Sequence, residues 1–101
     1  MIIYNVTIKI EWDIAANWVA WMKEEHMPEV MSSDCFVRYQ FVRLLQTDES
    51  EGPTYAAQYY SESFKKYDQY IQEFAPILRQ KTIDKWGAKF IAFRSLMETV
   101  E

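Results

Sequence analysis

The first twelve residues alternate, with a period of two, between a strongly apolar and a more polar set of side chains. The apolar set is Ile2, Tyr4, Val6, Ile8, Ile10 and Trp12, and the second set is Ile3, Asn5, Thr7, Lys9 and Glu11. This alternation is typical of a β-strand, because successive side chains of a strand point to opposite faces. The chain therefore begins with a strand whose apolar face must be covered.

A segment with helical spacing follows this strand. Asp13 stands where a helix N-cap is expected. The apolar stripe of the predicted helix, with a histidine at its edge, is Ile14, Trp18, Trp21, Met22 and His26. Pro28 is expected to kink or end the helix, because proline lacks an N–H and clashes with the preceding turn.

The middle of the chain predicts two strands joined as a hairpin. Residues 35–45 and 55–60 are rich in β-branched and aromatic side chains. Between them, residues 47–53 (TDESEGP) have the composition of an acidic turn. This turn lacks the aspartate spacing of a calcium loop, so we interpret it as a solvated hairpin loop.

A second helix and a last strand complete the chain. Ser61 or Ser63 is predicted to cap this helix, which Pro76 interrupts and Gly87 closes. Residues 88–100 then predict the last strand.

The predicted element order is βαββαβ, which is the order of the ferredoxin-like fold in the α+β class. In this fold a four-stranded antiparallel sheet carries two helices on one face. The 101 residues have the length of one domain, so we expect a single domain over residues 1–101.

The second and last predicted strands are apolar on both faces. In the second strand the two faces are Phe36, Val42 and Leu44, and Val37, Tyr39, Phe41 and Leu45. In the last strand they are Ile91, Phe93 and Met97, and Phe90, Ala92, Leu96 and Val100. Two helices cover only one face of such a sheet, and the chain holds nothing else to cover the other. We therefore expect a homodimer that forms through the open sheet face.

The composition excludes several classes of function. The net charge of −4 argues against a nucleic-acid partner, and residues 54–60 (TYAAQYY) lack the basic residue and glycines of RNA-recognition modules. Cys35 and His26 are single residues of their types, which excludes an intrachain disulfide and a Cys/His zinc site, and we expect neither a metal nor a cofactor. No apolar run approaches the roughly 20 residues that span a bilayer, so we expect a cytoplasmic protein with no membrane partner.

His26 is the principal candidate for chemistry. It is the one side chain whose ordinary pKa lies near physiological pH, so it is suited to act as a general acid or base. Glu29, three residues later, is within reach to orient the imidazole. The alternative is a core or interface histidine that is hydrogen-bonded to a backbone carbonyl.

A second candidate is a pocket for a flat apolar or aromatic ligand. Trp18 and Met22 would form its walls, and Asn5 and Arg94 are the polar candidates. The alternative for the aromatic stripes is a pair of helix faces that pack on a sheet, and the alternative for Asn5 is a place in the dimer interface.

Three stretches of the chain resemble a small bacterial family of proteins of unknown function, which is grouped with the dimeric α+β barrels. The stretches are MIIYNVTIKIE (1–11), WVAWMKEEHMPEVM (18–31) and FAPILRQKTIDKWGAKFIAFRSLMETVE (74–101). The resemblance covers nearly the whole chain. It implies a dimer whose two sheets form a barrel, and a pocket between the sheet and the helices of each subunit.

Relatives of this fold include cofactor-free monooxygenases, haem-degrading monooxygenases, muconolactone-type isomerases and proteins without known activity, so the fold does not choose among them. In the haem-degrading relatives the site consists of an Asn on the first strand and a Trp and a His on the second helix. Asn5 and Trp86 match in kind, but the second helix of this chain has no histidine, which argues against haem degradation.

Two hypotheses from different classes follow. The first is a dimeric binding module that holds a small apolar or aromatic ligand. The second is a cofactor-independent monooxygenase or isomerase that uses His26 as acid and base. The sequence offers no second catalytic group at a fixed spacing, which favours the first hypothesis.

Overall fold

Four strands form one antiparallel sheet in the order β2-β3-β1-β4, in a computed structural model that describes residues 1–101. The strands are β1 (Ile2–Ile10), β2 (Arg38–Arg43), β3 (Thr54–Ser61) and β4 (Phe90–Glu98). β1 and β3 are the central strands, and at the middle of β1 Val6 lies between Ala57 of β3 and Arg94 of β4. The strand order and pairing confirm the predicted ferredoxin-like fold.

Two helical regions cover one face of this sheet. The first consists of a 3-10 turn (Trp12–Ile14), α1 (Ala15–Trp21), a π-helical turn (Met22–His26) and α2 (Met27–Met31). The second consists of α3 (Phe64–Glu73) and α4 (Ala75–Trp86). No helix combines the length and the apolar character that crossing a bilayer requires.

The core lies between the helices and the apolar face of β1, as the alternation predicts. Tyr4, Ile8 and Ile10 are buried there. Trp18 of α1 is 1% exposed and packs its ring against the rings of Phe41 and Tyr55, with centroids 5.8 and 5.4 Å away. The aromatic content of the chain is thus concentrated where helices meet the sheet.

One prediction for the first helical region is wrong, and of the two effects expected of Pro28 one does not occur. Asp13 caps no helix, because the 3-10 turn already begins at Trp12 and the Asp13 carboxylate pairs with the Lys89 ammonium. Pro28 does not end the helical region, which continues to Met31. The proline lies in the first turn of α2, directly after the π-helical turn, where its missing N–H costs little.

The predictions for the second helical region are confirmed. Ser63 is the N-cap, and its Oγ accepts a hydrogen bond from the Lys66 N–H at 3.1 Å. The helix breaks at Phe74, just before Pro76. Gly87 ends α4 with a φ of 61°, and its N–H donates to the Ile83 carbonyl at 2.8 Å.

The second and last strands are shorter than predicted. β2 runs only from Arg38 to Arg43, and Cys35 and Phe36 lie buried in the connection that precedes it. β4 begins at Phe90 and ends at Glu98.

The face of the sheet that carries no helix is termed the open face. By register and alternation it consists of Ile3, Asn5, Thr7, Lys9, Arg38, Gln40, Val42, Thr54, Ala56, Gln58, Tyr60, Ile91, Phe93, Ser95 and Met97. A polar row crosses all four strands at its centre, and this row is Gln40, Gln58, Asn5 and Ser95. On β4 the open face exposes large apolar side chains, among which Phe93 is 66% exposed.

Candidate functional site

A cavity of about 300 Å³ lies between the sheet and the helices. The strands contribute Tyr4, Val6, Ile8, Ala57, Tyr59, Phe90, Ala92 and Arg94 to its wall. The helical regions contribute Trp18, Met22, His26, Tyr70, Leu78, Arg79, Thr82 and Ile83. Twelve of these 16 residues are hydrophobic, and none is acidic. The cavity is therefore an apolar space with a few basic and hydroxyl groups in its wall.

His26 is the last residue of the π-helical turn, and its ring lines the cavity. The imidazole stacks on the indole of Trp21 with centroids 4.9 Å apart and an angle of 28° between the planes. Burial lowers the pKa of His26 from 6.5 to about 4, and the charge of Glu29 opposes this shift. The imidazole is therefore neutral at physiological pH. Short π-helical segments occur often at functional sites.

Glu29 does not orient the imidazole. Its Oε2 is 2.8 Å from the Lys81 Nζ, in an ion pair that links α2 to α4 at the surface. Glu29, the partner that the sequence suggested for His26, is thus paired with Lys81 instead. Its carboxylate acts on the imidazole only through the electrostatic effect of its charge.

Two arginines converge on one phenol in the cavity wall. The Tyr4 Oη accepts a hydrogen bond from Arg79 Nη2 of α4 and another from Arg94 Nε of β4, both at 3.1 Å. Arg79 and Arg94 are termed the arginine pair. The Arg79 Nε and the Tyr59 Oη are buried and have no hydrogen-bond partner. The polar part of the cavity therefore contains donors that the protein itself does not satisfy.

The buried phenols beside the arginine pair remain protonated. Burial raises the pKa of Tyr59 and Tyr70 above the ordinary value, and the positive charge of the arginine pair only partly opposes the shift at Tyr70. These hydroxyl groups can therefore donate a hydrogen bond to a ligand.

Four of the five site residues expected from the sequence line this one cavity: His26, Trp18, Met22 and Arg94. Asn5 does not. It lies on the open face, where its Nδ2 donates to the Thr7 Oγ1 at 3.1 Å.

Arg79, the fifth residue of α4, was not foreseen as a site residue. Its spacing does carry a signal. Ala75 and Leu78 are buried, and Arg79 and Thr82, four and seven residues after Ala75, continue the same helical stripe. This basic residue on an otherwise buried helical stripe could have indicated a polar group in the wall of a cavity.

The haem-degrading set implied by the resemblance is not brought together. Asn5 lies on the open face, Trp86 does not line the cavity, and neither α3 nor α4 contains a histidine. The residues present do not fit that arrangement, so we derive no haem chemistry from them.

The fold and the site define a ferredoxin-like α+β protein with an apolar cavity between its sheet and helices. The chain belongs to the family described as a domain of unknown function, DUF4286, which matches residues 1–100. No curated protein matches the sequence.

Several solved structures have the same fold. One is a protein from Deinococcus radiodurans, provisionally assigned as an antibiotic biosynthesis monooxygenase, with a TM-score of 0.72, 11% identity, and coverage of 100% of this chain and 94% of that one. The heme-degrader MhuD from Mycobacterium tuberculosis, solved with two hemes in its active site, has a TM-score of 0.71, 14% identity and coverage of 100% and 97%. A dimeric ferredoxin-like protein from an uncultured marine organism has a TM-score of 0.68, 11% identity and coverage of 100% and 96%. At identities this low, the similarity shows a shared fold and nothing about a shared activity.

Proposed function

We propose that this protein is a dimeric α+β barrel that binds a small, mainly apolar or aromatic ligand in the cavity between its sheet and helices. The cavity itself carries the proposal. Its volume of about 300 Å³ is at the lower end of the range of ligand pockets, and its apolar wall with a few polar groups has their usual composition. Trp18 and Met22 supply flat and adaptable apolar surface, and His26 and Arg94 supply polar contacts.

The state of His26 favours binding over acid–base catalysis. A general base works best when its pKa is near the working pH. With a pKa of about 4, a neutral imidazole accepts or donates a hydrogen bond but removes a proton poorly. We therefore assign His26 to ligand contact.

The dimer forms through the open face in this proposal. Ile91 and Phe93 expose large apolar surface there, and the polar row that crosses the four strands next to Phe93 offers hydrogen bonds to a second copy. Isologous pairing of two subunits covers the open face of each of them. The structural relative from a marine organism is itself dimeric.

We place the protein in the bacterial cytoplasm. Its one cysteine, Cys35, is a buried free thiol, which suits a reducing compartment. The named structural relatives include bacterial proteins.

A thermal-shift screen of small aromatic compounds tests the ligand proposal. A ligand at 100 times its Kd stabilises the folded state by about 2.7 kcal/mol, which is a Tm rise of roughly 10 °C for a domain of this size. Ala92→Leu places a larger side chain in the cavity and should reduce the shift, whereas Ala20→Leu, at an exposed position of α1, should preserve it. Equal shifts in both variants would show that the compounds bind elsewhere.

A cofactor-independent monooxygenase or isomerase is the second candidate. One observation favours it: the His26 ring lines the cavity and makes no hydrogen bond that would fix it as a structural residue. Compounds found by the screen should then be converted by the wild type and recovered intact with His26→Ala. If mass spectrometry recovers the compounds intact from both proteins, catalysis is refuted and binding remains as the function.

A further inference from the structure

We propose that the ligand is an aromatic carboxylate whose carboxylate group is bound by the arginine pair and the Tyr4 hydroxyl. This inference rests on the proposed function and adds the chemical class of the ligand. It comes from the polar part of the cavity wall, which is basic and contains no acidic side chain.

The geometry at Tyr4 leaves donors free. The phenol oxygen accepts from both arginines, so its own proton is available to a third group. Each guanidinium has further N–H groups beyond the one that Tyr4 uses, and the Arg79 Nε is buried with no acceptor. A buried donor without an acceptor is costly, and a carboxylate is the acceptor that matches a guanidinium best.

The charges point to the same ligand class. The protein carries a net charge of −4, yet the cavity wall contains two arginines and no Asp or Glu. Neither Arg79, which is half-buried, nor Arg94, which is exposed, forms an ion pair with a carboxylate of this chain. An anion bound beside the two guanidinium groups would offset the repulsion between their like charges.

The rest of the wall selects an aromatic body. Trp18, Met22 and Phe90 surround the apolar part of the cavity. A volume of about 300 Å³ accommodates one or two fused rings and excludes larger ligands such as nucleotides. Flat rings pack favourably against indole and thioether groups.

Calorimetric titration with two matched probes tests the inference. We expect 2-naphthoate to bind the wild type at least about tenfold more tightly than 2-naphthamide, which has the same rings and no charge. Arg79→Met and Arg94→Met should each weaken naphthoate binding by about tenfold or more and leave the amide nearly unchanged. Arg43→Met removes an arginine outside the cavity, and its affinity for naphthoate should equal that of the wild type.

The outcomes separate this inference from the proposed function. Equal affinity of the acid and the amide would overturn the carboxylate assignment and leave the cavity as a site for neutral ligands. Failure of both probes to bind the wild type would overturn both. If an arginine variant does not fold, as judged by circular dichroism, Tyr4→Phe and the salt dependence of the wild type replace it as tests. Naphthoate binding must weaken in Tyr4→Phe, and it must weaken in the wild type as the ionic strength rises. Binding of the amide must change in neither test.

Discussion

The charge state of His26 is set by its burial in the cavity wall. Its pKa in water lies near neutral pH, yet burial keeps it neutral, and Glu29, whose charge acts on it, is engaged with Lys81. Arg79 and Arg94 stay charged at any physiological pH, so the cavity presents fixed positive charge beside a neutral imidazole. The site is therefore prepared to bind an anion without first taking up a proton.

The depressed pKa of His26 predicts how the free energy of unfolding depends on pH. Above about pH 6.5 His26 is neutral in both the folded and the unfolded chain. As the pH falls from about 6.5 to about 4, only the unfolded chain takes up this proton, so His26 lowers the free energy of unfolding by up to about 3 kcal/mol. Below about pH 4 its contribution is constant.

His26→Gln should remove this component. Urea unfolding of both proteins between about pH 7.5 and about pH 4 measures it, because the carboxylates common to both contribute equally to each curve. The stability of the variant should fall less steeply with acid. Parallel curves would contradict the depressed pKa, which an NMR titration of the imidazole measures directly.

At the scale of elements, two turns fix how the strands and helices meet. The π-helical turn brings His26 to the cavity wall just before α2 begins. The loop between β2 and β3 closes over the end of β1, where the Ile10 N–H donates to the Pro53 carbonyl at 3.0 Å and Trp12 Nε1 donates to the Glu49 carbonyl at 2.8 Å. This hairpin loop, expected to be simply solvated, is in part a packed element.

The two glycines should respond differently to alanine because of these turns. A Cβ at Gly52 would lie 1.6 Å from the Ile10 carbonyl oxygen, so the loop backbone must move, and we expect Gly52→Ala to cost more than about 3 kcal/mol. A Cβ at Gly87 meets no atom within 4 Å, and only its backbone conformation, with a φ of 61° and a ψ of −130°, is unfavourable for alanine, at about 1–3 kcal/mol. Urea unfolding gives both values, and a larger loss for Gly87→Ala would refute this account.

At the scale of the whole molecule, the sheet has one covered face and one open face. The helices and the cavity occupy the first. The second carries a polar row flanked by exposed apolar side chains on β4, which a monomer would leave in water. The proposed dimer and the proposed ligand site therefore use opposite faces of the same sheet.

A charge on the open face should separate the proposed dimer. Phe93 is 66% exposed on that face, and Ile77 is 63% exposed on α4, on the outside of the helical layer. Phe93→Glu should give a monomer at micromolar concentration, because two carboxylates would be buried in an isologous interface. Ile77→Glu should leave the mass unchanged. Light scattering measures both, and a wild-type monomer or a dimeric Phe93→Glu variant would refute the open-face dimer.

Much of the fold follows from local features of the sequence. The alternation at Tyr4, Ile8 and Ile10 places β1 on the core, and Ser63 and Gly87 mark the ends of the second helical region because capping chemistry is local. Asp13 misled because its carboxylate is taken by Lys89, which is 76 residues away and invisible to local pattern. Pro28 does not end the helical region, because a first-turn position tolerates proline.

The sequence by itself determined the order of elements, the face of β1 that is buried, and the residue types able to carry chemistry. Only the tertiary structure decided which of them meet. It places Asn5 on the open face. It also joins Arg79 to Arg94 across the Tyr4 hydroxyl, although the two arginines are 75 and 90 positions from Tyr4 in the sequence. The physical reason is that periodicity fixes the direction of a side chain within its own element, whereas a cavity is formed by distant elements packed together.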